Sequence, residues 1–190
     1  DASDDELVVT SRGGKITADF FNTAHDLLEL ARIKRNEVDP NLTQLTTLGE
    51  ANTVSQDTPF GAHSEGVCRF QVNNSDVIFL PRHGDQHQYP PHGVNYRANL
   101  WLLKSLGITK IIACNVVGGI NENMPPKTLV VPHQIIDYTW GREHTFFDGK
   151  NTVMKGVEHI DFTYPYSEAL RQRMLSFFEQ AGIDHLNYGT

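Results

Sequence analysis

The sequence has few cysteines and no long apolar run, and both shortages exclude classes of protein. Its two cysteines, Cys68 and Cys114, are too few for a small domain held together by several disulfide bonds. They lie far apart in apolar surroundings, which predicts two buried thiols and a reducing, cytoplasmic location. No apolar stretch reaches the roughly 20 residues of a membrane-spanning helix, and the acidic first residues are unlike a signal peptide. The sequence therefore predicts no membrane segment.

Positive charge is also scarce. Lysine and arginine number 16 against 23 acidic residues, which gives a formal net charge of -7. This balance argues against binding nucleic acid through a broad basic surface. A local positive pocket is still compatible with it.

What the sequence does contain is a run of alternating strands and helices in a chain long enough for one domain, with 190 residues of which 39% are hydrophobic. The predicted elements are a hairpin at 67–72 and 77–80, a helix at 94–106, strands at 110–114 and 129–131, a helix at 167–181, and a strand beginning at 186. This order predicts an α/β domain with a mixed, mainly parallel sheet flanked by helices. The strand at 110–114 is fully apolar, so we expect it in the covered middle of the sheet.

Residues 1–40 differ from the rest and are predicted to form an N-terminal extension. Apolar residues recur at helical spacing over residues 17–35, and Asp39-Pro40 ends that segment. The amphipathic helix would pack on the domain or on a partner. A regulatory or docking helix is the alternative.

Two strand ends carry the groups that favour an anion site. Arg82 and His83 follow the strand at 77–80, while Asn115 and Val116 follow the strand at 110–114 ahead of two glycines. Because one helix connects these strands, both loops should open at the same edge of the sheet. Arginine grips a phosphate or carboxylate with two donors, and glycines allow backbone amides close to an anion.

The other histidines do not form a predicted metal site. His83, His87 and His92 have helical spacing, but the prolines and glycine among them break any helix, and no carboxylate or cysteine completes a zinc set. His144 and His159 lie in a long polar and aromatic loop, where a solvent-facing or interface histidine is the commoner case. We predict no metal.

Arg82-His83-Gly84 also allows a second enzyme class. Histidine-type phosphatases and phosphoglycerate mutases carry this tripeptide after a strand and use the histidine as a phosphate-accepting nucleophile. In those enzymes the tripeptide lies near the start of the domain, whereas here a hairpin precedes it and Asp85-Gln86 follows. This class is therefore the alternative reading.

Residues 57–166 taken together resemble the 5'-methylthioadenosine/S-methyl-5'-thioinosine phosphorylases of the purine nucleoside phosphorylase superfamily. Several motifs match in order and spacing: Asp57-Thr58-Pro59-Phe60-Gly61, Pro81-Arg82-His83-Gly84, Pro90-Pro91-His92 with Val94-Asn95-Tyr96-Arg97-Ala98-Asn99, Asn115-Val116-Val117-Gly118-Gly119-Ile120, Gln134-Ile135-Ile136-Asp137, Thr139-Trp140-Gly141-Arg142-Glu143-His144-Thr145-Phe146-Phe147, and His159-Ile160-Asp161-Phe162 with Pro165-Tyr166. The form of the segment 138–144 looks closer to the bacterial enzymes than to the mammalian one.

The resemblance implies a nucleoside phosphorylase-like fold and phosphorolysis of a purine nucleoside or 5'-methylthio nucleoside to free base and ribose 1-phosphate or 5-methylthioribose 1-phosphate. It implies that Arg82, His83, Asn115 and Val116 bind phosphate, which is a co-substrate, with no cofactor. It also implies that His159 reaches the sugar and 5'-substituent pocket of a neighbouring subunit, in a trimer.

The sequence departs from the family pattern at both ends. The family's glycine-rich phosphate loop would fall at residues 38–41, where Pro40 lacks an amide donor and Asp39 repels phosphate. The pattern also continues past Tyr188-Gly189-Thr190 in the family. We therefore expect residues 41–190 to be an incomplete phosphorylase domain with little turnover alone. A non-catalytic interaction module that uses the loop around His144 and His159 is the remaining alternative.

Overall fold

The computed structural model describes residues 7–12, 52–72, 75–115, 117–150 and 153–190. Within these ranges it contains seven strands and two α-helices. The predicted helix at 17–35, the segment 38–41 and Val116 lie outside the described residues. The chain divides into two compact units, Asp1–Val116 with Glu143–Phe146, and Val117–Arg142 with Phe147–Thr190.

The first unit is built on a five-stranded sheet. Its strands are β1 Leu7–Arg12, β2 Asn52–Thr53, β3 Cys68–Val72, β4 Ser75–Pro81 and β5 Lys110–Cys114. They lie in the order β2-β3-β4-β1-β5, and each adjacent pair is antiparallel. The strand β1, which the sequence analysis did not predict, thus separates β4 from β5.

The predicted hairpin and first helix are confirmed, and together they form the core of this unit. Strands β3 and β4 pair with Cys68 opposite Phe79 and Val72 opposite Ser75. Helix α1, Tyr96–Ser105, packs Leu102 and Leu103 against the sheet. The fully buried cluster consists of Val67, Ile78, Leu80, Leu102 and Leu103.

Helix α1 has a clear start and stop. The Asn95 side chain accepts a hydrogen bond from the Ala98 amide at 3.1 Å, which satisfies one of the donors that a helix N-terminus leaves open. At the other end Gly107 takes φ +77°, a left-handed conformation that glycine adopts without strain. These two residues explain why the helix occupies the predicted span.

Strand β5 differs from its prediction. It forms an edge of the sheet among the described strands, and of its residues Ile112 alone is buried while Ile111 is 40% exposed. The apolar run predicted a covered central strand, but β1 occupies the position between β4 and β5. An edge strand with one covered face needs only alternate residues buried.

The cysteines are also less buried than predicted. Cys68 and Cys114 are both half-buried thiols. Cys68 is the first residue of β3 and Cys114 is the last residue of β5, so each lies where its strand leaves the sheet. Ends of strands are less covered than their centres, which accounts for the difference.

The second unit contains a parallel strand pair and a helix. Strand β6, Leu129–Val130, pairs in parallel with β7, His185–Leu186, and helix α2 spans Glu168–Gln180. Ser167 caps α2, and Gly182 follows it at φ +67°. The predicted helix and strands are confirmed, as is the long loop between β6 and α2. No helix of the described residues is both long and apolar enough to cross a bilayer.

The described elements form a mixed α/β arrangement, as predicted. The mainly parallel character of the sheet stays a prediction, because β6 and β7 are the one parallel pair among the described strands.

Candidate functional site

The two predicted loops leave the same edge of the sheet. Pro81, the last residue of β4, and Cys114, the last residue of β5, both pair with Leu7 of β1. Arg82 and Asn115 therefore start on either side of Leu7, roughly 10 Å apart, since neighbouring strands are separated by about 4.8 Å. The sequence predicted that both loops open at one edge of the sheet, and the structure agrees. It did not predict that β1 lies between the two strands.

Arg82 lies in a tight turn that the backbone fixes. The Gly84 amide donates to the Pro81 carbonyl at 2.9 Å, and Gly84 has φ +81°. The Arg82 guanidinium donates through Nη1 to the Tyr96 hydroxyl at 3.2 Å, on the first residue of α1. This hydrogen bond holds the Arg82 guanidinium next to the side chain of the first residue of α1.

His83 is buried and held through one ring nitrogen. It is 4% exposed, and its Nδ1 lies 2.6 Å from the Tyr89 carbonyl oxygen. Because a carbonyl only accepts, Nδ1 carries the proton. The other nitrogen, Nε2, is buried and has no hydrogen-bond partner. A buried polar atom without a partner costs about 1–3 kcal/mol, so Nε2 is a position where a bound ligand would restore a missing interaction.

The chemistry of Nε2 follows from the proton on Nδ1. In the neutral ring Nε2 is an acceptor, which suits the O–H of a monobasic phosphate, whereas the imidazolium donates to a dianion. The His87 ring lies beside it, with 4.8 Å between ring centroids. His83 and Arg82 thus combine a fixed cation with a group that can accept or donate a proton.

The loop that supplies the Tyr89 carbonyl is anchored to the preceding segment. Gln88 Nε2 donates to Glu65 Oε2 at 3.1 Å. Burial, followed by the negative charge of Glu65, raises the pKa of the Tyr89 phenol above its ordinary value. The Gln88–Glu65 hydrogen bond thus ties the loop that carries the Tyr89 carbonyl to the preceding segment.

The remaining predicted site residues are placed differently. Asn115 is exposed at the end of β5, and Val116 lies outside the described residues. His159 is exposed in the second unit, in the long loop. Within the first unit, the structure brings Arg82 and His83 together with Tyr96.

Two polar residues behind the site were missed by the sequence analysis. Ser64 and Asn99 are 3% and 5% exposed, and the Ser64 hydroxyl donates to the Arg82 carbonyl at 2.6 Å. The available signal was Asn99, a polar residue on the apolar face of α1 between Ala98 and Leu102. Ser64 gave no signal of its own.

A segment of the long loop is fixed to the first unit by Arg97. Its guanidinium forms an ion pair with Glu143 and lies 5.1 Å from the centre of the Phe60 ring. Phe146 and Trp101 both pack edge-on against Phe60, with ring centroids 5.1 and 5.5 Å away. These contacts explain why residues 143–146 belong to the first unit.

Among the residues that the structure describes, no three His, Cys, Asp or Glu side chains are grouped as metal ligands would be. The expected absence of a metal stays a prediction.

Comparison with known families identifies the fold to which this site belongs. The model of the phosphorylase superfamily matches residues 42–190. The chain belongs to the phosphorylase superfamily. The resemblance in the sequence motifs is thereby confirmed, and the chain has a nucleoside phosphorylase-like fold of mixed helices and strands.

Relatives within the phosphorylase superfamily carry several purine nucleoside names. A protein of Pseudomonas syringae pv. tomato named "Probable S-methyl-5'-thioinosine phosphorylase" is 46% identical over 149 residues, which is 78% of this chain and 59% of that protein. An S-methyl-5'-thioadenosine phosphorylase of Caenorhabditis elegans is 40% identical over 151 residues, 80% of this chain and 51% of that protein.

A solved structure agrees with these matches. Methylthioadenosine phosphorylase from Schistosoma mansoni in complex with tubercidin aligns with a TM-score of 0.67 and 39% identity, covering 76% of this chain and 49% of that chain. The chain thus spans about half the length of the relatives it matches. None of these names is a histidine-type phosphatase, so that alternative is not favoured.

Proposed function

We propose that the protein acts in the phosphorolysis of purine nucleosides, including 5'-methylthio nucleosides, with Arg82 and His83 holding inorganic phosphate. One observation carries the proposal: in a chain of the phosphorylase superfamily, the buried Nε2 of His83 has no hydrogen-bond partner beside the Arg82 turn. Phosphate fits this position because it offers oxygens to a cation and to an imidazole together.

The reaction needs an anion held in a fixed place. A phosphate oxygen attacks the anomeric carbon, the glycosidic carbon–nitrogen bond breaks, and its electron pair leaves with the purine, which takes up a proton. The products are the free base and ribose 1-phosphate, or 5-methylthioribose 1-phosphate from a 5'-methylthio nucleoside. Because the transition state resembles a ribosyl cation, a phosphate fixed on one face of the sugar stabilises the developing charge.

The relatives' names support the substrate class. They are called S-methyl-5'-thioinosine, S-methyl-5'-thioadenosine and 6-oxopurine nucleoside phosphorylases.

We propose that phosphate is a co-substrate, that no cofactor or metal takes part, and that Asn115 and Val116 supply backbone amides to phosphate and ribose. The exposed backbone after β5 is compatible with that role for Asn115.

The proposal extends to assembly. His159 would reach the sugar pocket of a neighbouring copy in a trimer. The second unit, which includes His159, exposes many apolar side chains, among them Trp140 at 91% and Tyr138 at 89%. A surface of this kind typically marks an interaction site.

We further propose a cytoplasmic location, a mainly parallel sheet in the whole fold, and residues 1–40 as an extension outside the phosphorylase domain.

The anion site is tested by titrating the chain with inorganic phosphate in an isothermal calorimeter. Arg82→Ala should weaken binding roughly 10- to 100-fold, the value of a charge-assisted hydrogen bond of about 1.5–3 kcal/mol. Arg173→Ala removes an exposed arginine from α2 and is the charge-matched control. Absence of binding by the unaltered chain, or equal weakening by both variants, would contradict the proposal.

The reaction is tested separately with S-methyl-5'-thioinosine. Release of hypoxanthine that depends on phosphate supports phosphorolysis. Release that proceeds equally without phosphate indicates hydrolysis and contradicts it.

A further inference from the structure

Ser64 and Asn99 form a small buried hydrogen-bond network directly behind the Arg82 turn. The Ser64 amide donates to Asn99 Oδ1 at 2.8 Å, and Asn99 Nδ2 donates to Ser64 Oγ at 3.0 Å. Ser64 Oγ in turn donates to the Arg82 carbonyl at 2.6 Å. Each end of the Asn99 amide has one matching partner, so its orientation is determined.

The network holds the peptide that joins Arg82 to His83. Fixing the Arg82 carbonyl oxygen fixes the plane of this peptide, and with it ψ of Arg82 and φ of His83. The next carbonyl, that of His83, accepts from the Tyr89 amide at 3.0 Å. The directions of both anion-site side chains therefore depend on two peptides, one of which is held by Ser64.

The network does not serve the ligand directly. Both hydrogen bonds of the Asn99 amide go to Ser64, and the Ser64 hydroxyl is directed to a backbone oxygen. An apolar pair would fill the same space, whereas a satisfied buried polar network specifies one geometry. We infer that Ser64 and Asn99 are positioning residues that set the orientation of Arg82 and His83 for anion binding. The inference rests on the proposed function.

The first test follows the His83 ring and does not need phosphate. In the unaltered chain, nitrogen NMR of the His83 imidazole should show the proton on Nδ1, bonded to the Tyr89 carbonyl. Ser64→Ala removes the donor to Arg82, and the His83 nitrogen signals should move toward a mixture of the two tautomers. Ser64→Thr keeps the hydroxyl and should restore the original signals. Unchanged His83 signals in Ser64→Ala would overturn the inference.

The second test measures phosphate affinity at a temperature where each variant is fully folded by circular dichroism. Ser64→Ala should bind phosphate about tenfold more weakly, as expected for one lost hydrogen bond, and Ser64→Thr should recover most of the affinity. Ser105→Ala is the control, because Ser105 is the last residue of α1, away from the site, and its hydroxyl donates to the Leu102 carbonyl at 2.8 Å. A lower melting temperature with unchanged affinity would assign Ser64 a merely structural role and overturn the inference.

The two tests also separate this inference from the proposed function. If the unaltered chain binds no phosphate, the proposed function fails, while the His83 signals still decide whether Ser64 positions the ring. If Ser64→Ala does not fold, Ser64→Cys replaces it, since the thiol is of similar size and a weak donor. Ser64→Cys should then shift the His83 signals in the same direction, and unchanged signals would overturn the inference.

Discussion

At the scale of single residues, His83 is held from one side only. Its Nδ1 is fixed by the Tyr89 carbonyl, while Nε2 is buried without a partner. Such an arrangement lowers the stability of the ligand-free protein, and a ligand recovers it. The cost and the proposed phosphate contact therefore belong to the same ring.

His83→Ala should remove the stabilisation that phosphate provides. A ligand at a hundred times its Kd adds about 2.7 kcal/mol to the free energy of unfolding, and this increment should disappear in the variant. Urea unfolding with and without phosphate measures it. The control is His185→Ala, because Nδ1 of His185 also lies 2.8 Å from a backbone carbonyl, that of Ile183 in the second unit. A phosphate increment that survives in His83→Ala would contradict the assignment.

A second prediction concerns Asp161 in the long loop. The Thr163 hydroxyl, then the Thr163 amide, donate to Asp161 and hold the pKa of its carboxyl below the ordinary value. This interaction contributes stability above the unfolded-state pKa and is lost as the pH falls through the folded-state pKa. Thr163→Val removes the hydroxyl donor, so the Asp161 pKa should rise in a carboxyl carbon NMR titration.

Thr139→Val is the control for this titration. Thr139 makes the same pair of contacts with Asp137, so its replacement alters an equivalent turn. It should leave the pKa of Asp161 unchanged. An Asp161 pKa that stays low in Thr163→Val would show that the hydroxyl is not the cause.

At the scale of secondary structure elements, α1 is fixed at its start by one side chain with two functions. Asn95 caps the helix, and its Nδ2 donates to the carbonyls of Phe60 and Ala62 at 2.8 and 3.2 Å. The Asn95 side chain thus binds the loop at 58–62 and also caps the helix that carries Tyr96 and Asn99.

Asn95→Ala should therefore cost more than the loss of an ordinary cap. A cap is worth about 1 kcal/mol, and the loss of the tether should bring the total decrease in unfolding free energy to about 2 kcal/mol. Ser167→Ala on α2 is the comparison, because that cap makes one contact of 3.4 Å with the Leu170 amide. Urea denaturation measures both, and an equal or smaller effect at Asn95 would contradict the double function.

The sequence predicts these elements unequally well, for a physical reason. Helices α1 and α2 and the β3–β4 hairpin depend on caps, glycines and periodicity within a few residues, and all were predicted. The position of β1 between β4 and β5 depends on pairing across a large part of the chain, which no local pattern encodes. The same limit hid the contact between Ser64 and Asn99, whereas Arg82 and His83 were named as candidates because they directly follow a strand.

At the scale of the whole molecule, the second unit has several large apolar side chains on its surface. The most exposed side chains of this surface are Ile120, Trp140, Tyr138, Tyr164, Val157, Val117 and Ile160. Burial of such residues between copies would remove them from water and supply the association energy.

Replacing Trp140 and Ile160 by lysine should shift the protein toward monomer. Each lysine places a charge in the proposed contact surface, which costs several kcal/mol if it is buried without a partner. Gel filtration with light scattering gives the mass, and the unaltered chain is expected to be a trimer. The double replacement Gln172→Lys and Gln180→Lys on exposed positions of α2 adds the same charge and should leave the mass unchanged. A monomeric unaltered chain would refute the proposed assembly.

The position of β1 between β4 and β5 also has a consequence for synthesis on the ribosome. Cys114, which pairs with Leu7, is made about a hundred residues after it, a delay of roughly 5–20 s at ordinary elongation rates. One hydrogen-bonding edge of β1 waits for β4, and the other stays unpaired until β5 has been made. Unpaired strand edges are prone to aggregation. The nascent chain should therefore depend on a holding chaperone until β5 emerges, more than a chain whose sheet is assembled from consecutive hairpins.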